Sequence, residues 1–180
     1  MREIVTGILI ISAVVTCSVV VTDSHAEEEL IGPPDYQAPL NRLCIRGNSI
    51  NHSFGKVRNN GTKNHQGHDY VAKVNTPIYS IANGKVVRVT HKGAHGLSVV
   101  ISVENFYVRY SHLSSLVVSP NDEVYHGEVV GFTGRSGNAR NVEPHLHFEL
   151  LTEKQPGYGL KGRKSPIELF PHLRKFMFDC

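Results

Sequence analysis

The apolar residues of this chain fall into two regimes. From Ile4 to Val21 they run almost continuously, broken by a few Thr, Ser and Gly. From Phe54 onward they come in short bursts, and several alternate with polar residues, as half-buried strands do. Strands are predicted over Thr76 to Ala82, Lys85 to Thr90, Leu97 to Val103, Phe106 to His112, Glu128 to Phe132 and His145 to Leu150. Asn83-Gly84, between the first two, reads as a hairpin-type turn pair. Thr133 to Gly137 reads as a glycine-rich turn. Short strands at this spacing predict a mainly β fold, an antiparallel sheet or sandwich. Past Leu151 the chain loosens through Pro156, Gly157, Gly159 and Gly162. Ser165-Pro166-Ile167-Glu168 then reads as a helix start, with Ser as cap, Pro first in the helix and Glu as capping-box partner. Pro171 limits it to a short helical turn.

The first apolar run has a different meaning. It follows Arg2 and ends near Ser24-His25-Ala26, small residues at the two positions a signal peptidase reads, before Glu27-Glu28-Glu29. Residues 1–26 are expected to be a signal peptide, leaving no stable membrane span after cleavage. Residues 27–50, broken by Pro33, Pro34 and Pro39, read as a linker. Residues 51–151 form the expected main domain, and 152–180 a C-terminal extension packing on it. A chain of 180 residues has room for one domain and little else.

Composition changes this picture little. The chain is 40% hydrophobic and 19% charged, with a formal net charge of +3. Lys and Arg are scattered, so nothing argues for a nucleic-acid partner. Export implies an oxidising compartment, either the periplasm or the exterior. Cys44 and Cys180, which remain once Cys17 leaves with the signal, are then expected to pair. A loop that long stabilises by on the order of 4–5 kcal/mol in the chain-entropy account.

The chemistry lies in two short segments. In Pro144-His145-Leu146-His147-Phe148-Glu149-Leu150, alternation puts His145, His147 and Glu149 on one face and Leu146, Phe148 and Leu150 on the other. Two imidazoles about 7 Å apart along a strand suit a shared metal site. In His65-Gln66-Gly67-His68-Asp69, an extended chain puts His65, Gly67 and Asp69 on one face, and Gly67 leaves room for an ion. A helical segment would bring His65 and Asp69 together as well. A His, Asp, His set leaves the fourth position of a tetrahedral zinc open, as catalytic sites do. Spacing alone does not say which of His145 and His147 binds the metal.

These segments carry a family resemblance. The chain resembles the M23 metallopeptidases, the lysostaphin-like peptidoglycan endopeptidases. Their H-x-G-x-D, Y-x-H-L and H-x-H motifs stand here as His65 to Asp69, Tyr110-Ser111-His112-Leu113 and His145-Leu146-His147. Asn75 to Tyr79, Asn83 to Val87 and Gly131 to Gly134 match as well, so the resemblance spans roughly residues 54–151. It implies that His65, Asp69 and His147 bind one Zn2+ ion. It implies that His112 and His145 flank the nucleophilic water, one as general base and the other on the oxyanion. The fold it implies is an antiparallel β-sandwich of the duplicated hybrid motif type, with a substrate groove over one sheet.

Three departures stand out. His68 replaces the usual aliphatic or aromatic residue before Asp69, and on a strand it faces the core, where it needs a partner. Asn121 stands where a Gly is usual. Arg58 lies near a familiar Arg position but at an uncommon spacing, and is left out of the site. His52, His91, His95, His126 and His172 match no motif and read as surface residues, although His91 and His95 would flank a loop near the groove. Glu149 is placed to orient His147.

The function expected is that of an exported zinc metalloendopeptidase. It would cut peptide bonds in peptidoglycan stems or cross-links through a water that the zinc activates. A regulatory or immunity protein is an optional partner. The alternative is a non-catalytic M23-like activator that binds another wall hydrolase; such proteins typically lose zinc ligands, and all three stand here. A phosphocarrier with paired histidines is disfavoured by export and by Asp69.

Overall fold

The computed structural model describes residues 36–178. The segment expected to be a signal peptide, Cys17 and Cys180 lie outside the described residues. Cys44 lies within them and is disulfide-bonded.

Every strand pairing is antiparallel and there is no α-helix among the described residues. Among the described residues twelve strands run in order as β1 (Gly55–Arg58), β2 (Lys63–His65), β3 (His68–Val71), β4 (Pro77–Tyr79), β5 (Gly84–Thr90) and β6 (Ser98–Val103). They continue as β7 (Phe106–Ser111), β8 (Leu113–Leu116), β9 (Glu123–Val124), β10 (Val129–Thr133), β11 (His145–Leu151) and β12 (Arg163–Lys164). The main sheet has the order β12-β11-β7-β6-β5-β9, with β3 also on β11. A second sheet has the order β4-β10-β8, and β1 pairs with β2 in a small ribbon.

β11 explains the rest. Its residues alternate as predicted, and all seven are buried. Phe148 packs among the rings of Tyr70, Tyr110 and Phe170, with centroids 5.2 to 6.4 Å away. Leu146, Phe148 and Leu150 join the main core with Val99, Ile101 and Val108. Truncating a buried Phe in such a setting typically costs about 3–5 kcal/mol. With one face fixed by this core, register is fixed too, and the opposite face must carry His145, His147 and Glu149. On one edge β7 sets Ser111 opposite His147 and Arg109 opposite Glu149. On the other edge β3 sets Asp69 opposite His147.

The segment before β1 is also built into the fold. Leu40, Leu43 and Ile45 are buried in the core. Ile45 bridges to Tyr70, and the Val71 N–H donates to the Cys44 carbonyl at 2.8 Å.

Two turn readings are corrected. Asn83-Gly84 does not close a hairpin: β4 pairs with β10, and β5 pairs with β6 and β9. Gly84 is needed because a Cβ there would lie 2.4 Å from the Ser102 carbonyl oxygen. The C-terminal helical turn is present as two 3-10 turns, Pro166–Leu169 and Pro171–Phe176, each opened by its proline. No side-chain cap comes from Ser165.

Candidate metal centre

The site sits where the first residues of β11 face the β2–β3 junction and the end of β7. His65 closes β2, Asp69 is the second residue of β3, and His147 lies between Asp69 and Ser111 across the ladders. Three atoms converge. His65 Nε2 is 3.0 Å from Asp69 Oδ1, His147 Nδ1 is 2.8 Å from the same oxygen, and the two nitrogens are 3.2 Å apart. All three residues are buried, and together they are a set able to hold a metal ion.

Each inner atom faces the centre because its outer partner is engaged elsewhere. His65 Nδ1 donates to the Ser53 carbonyl at 2.8 Å, which leaves Nε2 as an acceptor. His147 Nε2 donates to Glu149 Oε1 at 3.2 Å. Asp69 Oδ2 accepts from Arg58 Nη2 at 2.8 Å and from His52 Nδ1 at 3.0 Å. One proton shared among three acceptors leaves two lone pairs facing each other unengaged, whereas a divalent ion engages all three. Tetrahedral zinc with bonds of about 2.0–2.1 Å sets its ligand atoms about 3.3 Å apart, close to the spacings found here.

The charges agree with this need for a cation. Burial works against a charged His147, but Asp69 and Glu149 on either side outweigh it and lift the imidazole to about 9. The Asp69 carboxyl is held far below its usual range: burial opposes ionisation, and hydrogen bonds from His147, His52 and His65 overcome it. His65 is pushed down, by burial first.

His112 and His145 stand beside the centre in matching states. His112 Nδ1 donates to the Ser136 carbonyl at 3.0 Å, and His145 Nδ1 donates to the Glu143 carbonyl at 2.8 Å. Each therefore turns an unprotonated Nε2 away from its backbone partner. Their ring centroids are 4.9 Å apart, and His145 Nε2 is 3.7 Å from Asp69 Oδ1. Burial, then the neighbouring His147 and His145, lowers His112 to about 3. Burial lowers His145 also. His112 has φ +65°, a left-handed backbone that costs a side-chain-bearing residue roughly 1–2 kcal/mol. It occupies the irregular step between β7 and β8.

Glu149 does orient His147. Its carboxylate, fully buried, accepts from Arg109 Nη1 at 3.1 Å and from Arg163 Nε at 2.8 Å. The centre opens into a groove of about 670 Å³.

Residues 63–157 match peptidase family M23, more than half of the chain. The chain belongs to peptidase family M23. The peptidoglycan DD-endopeptidase ShyA of Vibrio cholerae is 36% identical over 99 residues, which cover 54% of this chain and 23% of ShyA. A catalytic-domain mutant of the prophage-encoded M23 protein EnpA from Enterococcus faecalis is 29% identical with a TM-score of 0.54. That match covers 63% of this chain and 85% of the EnpA domain. A zinc-containing peptidase from Vibrio cholerae is 26% identical with a TM-score of 0.53, covering 64% of this chain and 37% of that one. The chain spans no more than about a quarter of the length of the curated relatives it matches.

The M23 domain thus brings together all five residues singled out in the sequence. It adds three that sequence reasoning set aside. Arg58 and His52 hold the outer oxygen of Asp69. His95, near Gly93 in its loop, contacts Ser111 Oγ and Arg109 Nη1 at 3.2 Å each and stacks toward His147. Only the position of Arg58 and the loop placement of His95 hinted at this. His91, His126 and His172 are exposed, as expected. His68 is buried with the Tyr70 hydroxyl 3.1 Å from its Nδ1. Asn121 takes φ +77°, which Asn tolerates where Gly is usual.

Proposed function

We propose that this chain is an exported zinc metalloendopeptidase that hydrolyses peptide bonds in peptidoglycan stems or cross-links. The observation that carries the reading is the convergence of His65 Nε2, Asp69 Oδ1 and His147 Nδ1, each fixed from outside, beside two neutral imidazoles. Membership of a peptidase family and its named relatives support the reaction class and the substrate. The apolar run before Ser24-His25-Ala26 and the disulfide-bonded Cys44 support export.

His65, Asp69 and His147 would hold one Zn2+. When bound, the ion supplies Lewis acidity, polarising the scissile carbonyl and making water nucleophilic at neutral pH. The chain's own residues do the rest. His112 and His145 each offer a lone pair at Nε2, so one takes the proton of the attacking water. The other, once it has taken a proton from solvent at Nε2, donates to the charge that develops on the carbonyl oxygen. The imidazole that gains the attacking water's proton then delivers it to the leaving amine. Glu149, between Arg109 and Arg163, keeps Nδ1 of His147 turned to Asp69 Oδ1 and His65, where it would hold the metal.

The test is digestion of purified peptidoglycan by the protein, with the products identified by mass spectrometry. Chelation and Asp69→Ala are both expected to abolish release of peptide fragments. Unchanged digestion in both would end the zinc mechanism. Zinc bound without any cleavage of wall would end the substrate assignment and keep the metal.

A further inference from the structure

The groove around the centre is charged unevenly. Arg46, Arg58 and Lys63 line it, and Asp69 is its one acidic lining residue among the described residues. With a divalent ion on Asp69, the groove is left with a surplus of positive charge.

These three cations are not equivalent. Arg58 is committed, to Asp69 at 2.8 Å and to the Asn51 carbonyl at 3.0 Å. Lys63 is exposed, and water serves its ammonium well. Arg46 is different. Its side chain is only 18% exposed, and its Nε is buried with no hydrogen-bond partner. The Glu143 carboxylate is 3.7 Å from that Nε, beyond hydrogen-bonding range, and 82% exposed. A buried guanidinium donor left without a partner is costly, and a carboxylate is the acceptor that best fits its planar fork.

The fold fixes Arg46 beside the chemistry. The residue before it, Ile45, is fully buried, bridges to Tyr70 of β3, and donates its N–H to the Met177 carbonyl at 2.7 Å. One residue along β3, Val71 pairs with His145. Glu143, the ion-pair partner of Arg46, holds His145 Nδ1 through its own carbonyl.

We propose that Arg46 is a carboxylate-binding residue of the groove, and that it selects peptides bearing a free carboxylate next to the scissile bond. This rests on the peptidase reading above. The bound carboxylate takes the outer nitrogens of the Arg46 fork, and the bond to be cut then lies beside His145. The carboxylate has two sources, the end of a peptide chain or an acidic side chain.

The experiment separates them. Three synthetic peptides containing the cleaved bond are compared: one with all carboxylates free, one amidated at its terminus, and one amidated on its side chain. The zinc-loaded protein, Arg46→Gln and Arg46→Lys are assayed on each. One amidation should lower kcat/KM of the unsubstituted protein roughly 10- to 100-fold, the worth of a charge-assisted hydrogen bond. Arg46→Gln should lose a similar factor on the free peptide and show no further loss on that amidated one. Arg46→Lys should fall between, since it keeps charge but not the fork. Indifference of the unsubstituted protein to both amidations overturns the proposal. So does an equal loss by Arg46→Gln on all three peptides. If nothing is cleaved, the peptidase reading fails, and calorimetric binding of the same peptides decides. Binding that weakens on amidation, and only with Arg46 present, upholds the carboxylate site; equal binding refutes it.

Discussion

Asp69 has two oxygens with separate duties. Oδ1 faces His65 and His147, while Oδ2 is held by Arg58 and His52. That division fixes which oxygen would meet a metal, so Arg58 would act on a bound ion through Asp69. Arg58→Met should weaken zinc affinity by about 10- to 100-fold with the ligands intact, measured by competition with a chromophoric chelator. His68, on the other face of β3, gives a different signature. Burial first, then the charge of His65, holds it down to about 3. The unfolded chain binds a proton there from about pH 6.5, so this residue destabilises the fold as pH falls from 6.5 toward 3. His68→Gln should therefore lose less stability than the unsubstituted chain between pH 6.5 and 5, by up to about 1.4 kcal/mol per pH unit in urea unfolding.

At the scale of elements, β11 is the organising strand, and Gly67 lets the β2–β3 junction sit against it. The sequence reading ascribed Gly67 to space for an ion. The space belongs to backbone: a Cβ there would lie 2.2 Å from the Phe148 carbonyl oxygen. Gly67→Ala should destabilise by about 1–3 kcal/mol or more and lower zinc affinity with it, read by chemical denaturation and metal titration. β11 was legible because alternation over seven residues is a local signal, and the motif of His65 and Asp69 is equally compact. The hairpin assigned to Asn83-Gly84 was not, because a glycine in a close strand contact looks in sequence like a glycine in a turn. Arg58, His52 and Arg46 escaped for another reason. Arg46 and His52 reach the groove from turns packed on β3, and Arg58 from β1 beside β2, and no short period ties them to His147.

For the whole molecule, the mainly β architecture and the groove followed from strand patterning and from family resemblance. The burial of Leu40, Leu43 and Ile45 shows the core beginning ahead of the first sheet ribbon. A metal at the centre joins β2, β3 and β11, so it should act on global stability. At zinc concentrations near 100 times Kd the stabilisation is about 2.7 kcal/mol, or roughly 5–10 °C in Tm. Chelation should remove that increment, and Asp69→Asn should show none of it in thermal unfolding; equal melting with and without zinc would mean that the ion is not bound in the fold. The left-handed backbone at His112 has a wider consequence. His112→Gly relieves that strain but gives up the bond to the Ser136 carbonyl and the packing on His145, so Tm should change little while turnover falls at least 100-fold, both measured on one purified preparation. Selection for heat resistance alone would then fail to register the loss. A library built to toughen this protein needs that codon held constant.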